Sequence, residues 1–172
     1  MTGSRILVAF ASKHGSTREV AQAIAGTLNE LGQRVECVPA SSVREVAQYD
    51  GVVVGGALYT GRWHRDAMRL CKEHGREIAA RPWAAFALGP KTLEDQDVAS
   101  SRAQLDAALA KLELRPPDLV AVFGGVVDPT KLRFPFNRMP ASDARDWPAI
   151  HAWAREANAL FRQNAPLEPA LR

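Results

Sequence analysis

Five short apolar runs, separated by stretches with helical spacing, set the pattern of this chain. The first is Ile6-Leu7-Val8-Ala9-Phe10-Ala11, too short to cross a membrane and suited to a buried strand. A helical stripe follows at once through Val20, Ile24, Leu28 and Leu31, and Gly32 suits a left-handed position past the helix end. Arg34–Pro39 alternates, and its polar positions and closing proline predict a strand at a sheet edge. Ser41 and Ser42 predict the cap of a short helix through Val43, Val46 and Ala47. Residues 51–57 form an unbroken run typical of a central parallel strand. Residues 58–64 read as a loop, and Ala67, Leu70, Cys71 and Ile78 as the inner side of a helix. A fourth strand is predicted over 82–88, a polar loop over 89–97, and a helix carrying Leu105, Leu109 and Leu112 before Pro116-Pro117. The fifth strand covers 119–125, and 126–139 is irregular. A last helix starts near Asp146-Trp147-Pro148, with Asp146 as its cap, and buries Ile150, Trp153, Ala154, Ala157 and Phe161.

Strands alternating with helices predict an α/β three-layer sandwich, a parallel sheet with helices on both faces. Right-handed crossovers and a ligand-type loop after the first strand favour the order 2-1-3-4-5. A length of 172 residues predicts one domain over 1–172, with a core at 5–164, an irregular insertion at 126–140 and a tail at 165–172. Ligands in such sheets bind at the carboxyl ends of the strands, at the switch between strands one and three. The loops that meet there are 12–17, 58–64 and 89–97.

Charge narrows the partners. The net charge is +3 with a pI near 9.1, and Lys and Arg are scattered, so no nucleic-acid partner is expected. Cys37 and Cys71 lie far apart without metal-ligand spacing, and the start of the chain holds no signal-peptide pattern. A reduced, cytoplasmic setting follows as an expectation. Glu94, Asp95 and Asp97 are expected in a solvated loop, and no metal site is predicted.

The chemistry concentrates in Ser12-Lys13-His14-Gly15-Ser16-Thr17. Between a buried strand and a helix start, hydroxyls and a glycine make an anion site or, more simply, a helix cap. The stretch is neither a Walker loop nor a dinucleotide fingerprint. Its spacing resembles the flavodoxin phosphate loop, Ser/Thr-x-Thr/Ser-Gly-x-Thr/Ser, with His14 in the third place. One phosphate group's worth of donors, without a second pyrophosphate fingerprint, points to FMN rather than FAD. Tyr59 and Trp63 stand where a planar ring needs an aromatic wall, although Trp63 can equally pack on the next helix. His14 and His64 fall at the same edge and are the candidates for moving a proton. No Ser-His-Asp or Cys-His arrangement can be placed.

Four stretches, ILVAFASKHGSTREVAQAIA, YDGVVVGGALYTGRWH, LVAVFGGVVDP and SDARDWPAIHAWAREANAL, are similar to short flavodoxin-domain proteins. More narrowly they resemble the bacterial flavodoxin-type protoporphyrinogen oxidases, an FMN-dependent family linked to respiratory quinone. The resemblance implies a flavodoxin-like fold and places the FMN phosphate on Ser12, Lys13, His14, Gly15, Ser16 and Thr17. It places Ala57, Leu58, Tyr59, Thr60, Gly61 and Trp63 on one side of the ring, and Leu88, Gly89 and Pro90 at the third loop. The family tends to show Tyr-Gly-x-aromatic-His where this chain has Thr60-Gly61-Arg62-Trp63-His64, and its insertion after the fifth strand is longer than 128–140.

Three functions follow as expectations. The first is an FMN oxidoreductase passing electrons from a reduced substrate, such as protoporphyrinogen IX, to a quinone-like acceptor. The second is a flavodoxin-type electron carrier serving a redox partner protein, and the third is a flavin-free binding module. Net positive charge favours the first over a carrier steered by acidic residues. Segment 126–140 mixes Leu132, Phe134, Phe136 and Met139 with Lys131, Arg133 and Arg138. It is expected to meet a partner, a porphyrin-like acid or the inner face of an anionic membrane, or else to fold back as a satellite core. In the first case it is expected to lie apart from the phosphate loop.

Overall fold

Alternation along the first strand decides the layering. In β1 (Arg5–Ala11), Ile6, Val8 and Phe10 join one buried cluster and Leu7, Ala9 and Ala11 the other. A strand covered on both faces reads as a continuous apolar run, as this one does. The computed structural model describes residues 3–166. In it β1 is followed by α1 (Ser16–Glu30), β2 (Arg34–Pro39), β3 (Gly51–Tyr59), β4 (Arg62–Trp63), α2 (Arg65–Glu73) and α3 (Gly75–Ala79). Then come β5 (Trp83–Leu88), α4 (Asp95–Ala110), β6 (Leu119–Phe123), β7 (Val126–Val127), β8 (Ser142–Asp143) and α5 (Trp147–Gln163). The parallel strands run β2-β1-β3-β5-β6, with β4 paired to β3 outside that path. Without the short β4 this is the predicted order 2-1-3-4-5, a flavodoxin-like α/β sandwich. The tail predicted beyond 164 falls mostly outside the described residues.

Helices α1 and α5 cover one face, where Val20, Ile24, Leu28, Ile150, Ala157 and Phe161 pack on Ile6, Val8 and Val53. Phe86 stands there with Phe123 and Trp153 at centroid distances of 5.9, 5.9 and 5.8 Å within the trio. Its ring fills the space over Gly55, where a Cβ would lie 2.0 Å from Phe86 Cζ. Helices α2, α3 and α4 cover the other face through Ala67, Leu70, Cys71, Ile78 and Leu105. Helix α1 ends as expected: Gly32 adopts φ 96°, and the Gly32 and Gln33 amides donate to Asn29 O and Leu28 O. Leu31 falls at this cap and is exposed rather than on the buried stripe.

Four expectations are corrected. Ser41 and Ser42 start no helix: a single 3-10 turn, Ala40–Ser42, gives way to an irregular path. Arg81 braces this path, Nη1 donating to Tyr49 O at 2.6 Å and to Val46 O at 2.8 Å, which also accepts from Tyr49 N at 3.0 Å. Residues 58–64 are not an open loop. β3 continues to Tyr59 and turns through Thr60 (φ 47°) and Gly61 (φ 77°) into β4, a two-residue hairpin with both central φ positive. The helix through Ala67 to Ile78 breaks at His74. Helix α4 starts at Asp95, so the loop before it is shorter than 89–97.

Candidate functional site

The end of β1 passes into α1 through a loop that closes on itself. Gly15 N donates to Ser12 Oγ at 2.9 Å, and Gly15 takes φ 92°, ψ −13° as the residue before the helix. No side chain caps α1, so its first-turn amides are left to another acceptor. Ser16 opens the helix, half-buried, while Thr17 is fully buried and its Oγ1 has no hydrogen-bond partner. An unpaired buried hydroxyl costs about 1–3 kcal/mol. A Cβ on Gly15 would meet nothing within 4 Å, so the space over the loop is open. Uncapped amides, an orphaned hydroxyl and open space together fit a phosphate group.

The other loops reach the same edge. Tyr59 is 41% exposed, and its ring stands edge-on to His14 with centroids 6.4 Å apart. Leu58 is half-buried and touches the third loop, where a Cβ on Gly89 would lie 2.7 Å from Leu58 Cδ1. That loop is tied down by Gly89 N donating to Phe123 O at 3.1 Å and Gly125 N to Pro90 O at 2.8 Å. Ala57, Leu88 and Pro90 are buried, and Thr60 and Gly61 are exposed at the hairpin tip. Trp63, expected beside a ring, is instead taken up by the core: it is 3% exposed and its Nε1 donates to Gly56 O at 3.1 Å. The hairpin register sets this, because it pairs Trp63 with Leu58 and Arg62 with Tyr59.

The insertion does not lie apart from the loop. Lys131 Nζ donates to His14 O at 3.1 Å. Phe134 and Phe136 do not fold back as a satellite core but are 71% and 60% exposed, with the Arg138 guanidinium 5.3 Å from the Phe134 centroid. β7 and β8 pair at the base of the segment. There Arg145 bonds Asp143 and Glu19 in the first turn of α1, and lies 4.9 Å over the Trp147 ring. Sequence reading missed Lys131 and Arg145, whose partners lie more than a hundred positions away. The hairpin had a signal in Thr60-Gly61.

Burial, followed by the Lys13 and Lys131 charges, lowers the His14 pKa from its ordinary value. Burial also lowers that of His64, with Arg65 and Lys13 adding to it against Asp66. His64 Nδ1 accepts from the Asp66 amide at 3.1 Å and caps α2, so the neutral ring carries its proton on Nε2. Both shifts favour the neutral imidazole, and the positive charge near the loop rests on Lys13, Arg18 and Lys131. A hollow of about 290 Å³ opens beside the loop, lined among others by Ser12, Lys13, Gly15, Arg18, Ser41 and Asp66. Burial pushes the Cys37 thiol up to about 11 and Cys71 up to about 12, so neither supplies a thiolate near neutrality. Among the described residues no group of three or more His, Cys, Asp or Glu can hold a metal, and no helix is long and apolar enough to cross a membrane.

The family model for the flavodoxin domain matches residues 7–139. Protoporphyrinogen IX dehydrogenase (quinone) of Escherichia coli is 28% identical over 86 residues, 49% of this chain and 48% of that protein. The chain thus spans about half the length of the curated relative it matches. Among solved structures, a short-chain flavodoxin associated with a non-canonical PDU bacterial microcompartment superposes with a TM-score of 0.63 at 14% identity, over 96% of this chain and 100% of that one. The flavodoxin of Streptococcus pneumoniae gives 0.59 at 15% identity, over 94% and 100%.

Proposed function

The chain belongs to the flavodoxin domain family, and from that premise we propose that it is an FMN-binding oxidoreductase of one domain over 1–172. The observation that carries this reading is the Thr17 hydroxyl, buried without a partner in the uncapped first turn of α1. Amides of Ser16 and Thr17 and the Thr17 hydroxyl would hold the phosphate, while Gly15 leaves its approach open and Lys13 adds charge. Tyr59 would cover one face of the ring, with Leu58, Gly89 and Pro90 bordering it from the facing loops. When bound, FMN supplies the redox chemistry that no side chain here provides. His14, neutral and edge-on to Tyr59, is positioned to hold a proton at the rim, and His64 offers its Nε2–H.

The electron donor is taken as a porphyrinogen-type reduced substrate and the acceptor as a quinone, on the strength of the 28% match over half the chain. Exposed Phe134 and Phe136 beside Lys131, Arg133 and Arg138 support a peripheral contact of a cytoplasmic protein with an anionic membrane. The test presents oxidised FMN-loaded protein with protoporphyrinogen IX under anaerobic conditions, and the reduced protein with quinones and ferredoxin-type partners. Oxidation of protoporphyrinogen IX coupled to quinone supports the enzyme. Exchange only with ferredoxin-type proteins makes the chain a carrier, and failure to take up FMN makes it a flavin-free module.

A further inference from the structure

Lys131 reaches across 117 positions to bond the His14 carbonyl. The place is electrostatically unfavourable for a cation. It adjoins the positive end of a 15-residue helix, and Lys13 acts on the same His14. Its carboxylate partner, Asp128, makes only a long ion pair, with Oδ2 3.9 Å from Nζ, while Oδ1 accepts from Thr130 N at 3.0 Å and Thr130 Oγ1 at 2.6 Å. Crowding of positive charge is felt at the loop, where, after burial, Lys13 and Lys131 disfavour protonation of His14 against the opposing charge of Asp128. One dianion on the uncapped amides would attract these cations and offset their mutual repulsion.

We infer that Lys131 is a phosphate-binding residue contributed by the insertion, so that cofactor occupancy clamps segment 131–139 against the phosphate loop. The inference rests on the FMN reading above. The clamp has a second anchor, since Arg145 ties the base of the insertion to Glu19 in the same first turn of α1. Residues 132–139, with Phe134 and Phe136, are strung between these two points. Phosphate on the loop removes the repulsion at one of them. The aromatic and basic surface is thus presented in a fixed position when the cofactor is bound and loosened when it is not.

The experiment titrates parent, Lys131→Gln and Lys131→Arg with FMN and with riboflavin, which lacks the phosphate, by quenching of flavin fluorescence. In parallel, tryptic cleavage after Arg133 and Arg138 is timed with FMN, riboflavin or inorganic phosphate present. Lys131→Gln should weaken FMN about tenfold, leave riboflavin unchanged, and be largely rescued by arginine. FMN and inorganic phosphate, but not riboflavin, should slow both cleavages in the parent and lose that effect in Lys131→Gln. Unchanged FMN affinity in Lys131→Gln overturns the inference. Equal losses for FMN and riboflavin also overturn it, because they make the lysine a tie to the His14 carbonyl only. Cleavage indifferent to every ligand overturns the clamp. Whether the parent binds FMN at all decides the earlier reading separately.

Discussion

Replacing Thr17 by valine should move the cofactor-free and the FMN-loaded protein in opposite directions. Thr17 is fully buried, its Oγ1 has no protein partner, and it lies in the first turn of α1. Valine keeps the volume and the branched Cβ, so rotamer and helix-propensity effects nearly cancel. Removing the unpaired hydroxyl relieves a penalty of about 1–3 kcal/mol, and we take the lower end. About 1 kcal/mol corresponds to a rise of ~2–4 °C in the melting temperature of a cofactor-free chain of this size. In the loaded protein the same change deletes a hydrogen bond to a charged group, about 1.5–3 kcal/mol, or roughly ten- to a hundredfold in FMN affinity. Riboflavin affinity should not move. Thermal melts of the cofactor-free protein beside fluorescence titrations measure both signs. A variant that melts lower than the parent and binds FMN equally well would refute the reasoning, because the hydroxyl would then have a partner within the fold and none on the ligand.

Tyr59 and Trp63 should separate cleanly. Tyr59→Ala should melt like the parent yet weaken FMN about two- to tenfold through lost stacking, whereas Trp63→Ala should cost about 3–5 kcal/mol in denaturant unfolding. Gly55→Ala should cost about 1–3 kcal/mol, since the new methyl meets the Phe86 ring locked between Phe123 and Trp153, and a denaturant midpoint measures it. Both His14 and His64 have lowered folded pKa values, so below about pH 6.5 the unfolded chain holds more protons. Stability should therefore fall as pH drops from about 6.5 toward those lowered values, and His14→Gln should flatten the slope in a urea series; an unchanged slope would exclude His14 as a contributor.

Local signals were legible and distant ones were not. The β1 run, the Gly32 stop and the Asp146 cap, which accepts from Ala149 N at 3.1 Å, are decided within a few residues of each other. The phosphate-type loop was legible for the same reason, as strand, turn and helix start are contiguous. Segment 43–47 forms no helix, and its irregular path is braced by Arg81, far along the chain, which donates to Val46 O. Trp63 entered the core while Tyr59 stayed at the rim because a hairpin at Thr60-Gly61 fixed which side chain turned inward. Lys131 on His14 and Arg145 on Glu19 close loops of more than a hundred residues, and no periodicity reports such contacts. In the candidate site, then, the loop's local geometry was readable and the insertion's contacts with it were not.

The central claim is that the loop from Ser12 to Thr17 holds the phosphate of FMN. The most direct measurement is chromatography of the flavin released by heat from protein purified in the dark and reconstituted with a mixture of FMN, FAD and riboflavin. The account predicts FMN in stoichiometric amount from the parent, and its loss from Gly15→Val, whose φ of 92° resists a β-branched residue and whose side chain enters the approach path. Release of FAD or riboflavin in place of FMN, or undiminished FMN from Gly15→Val, would contradict it.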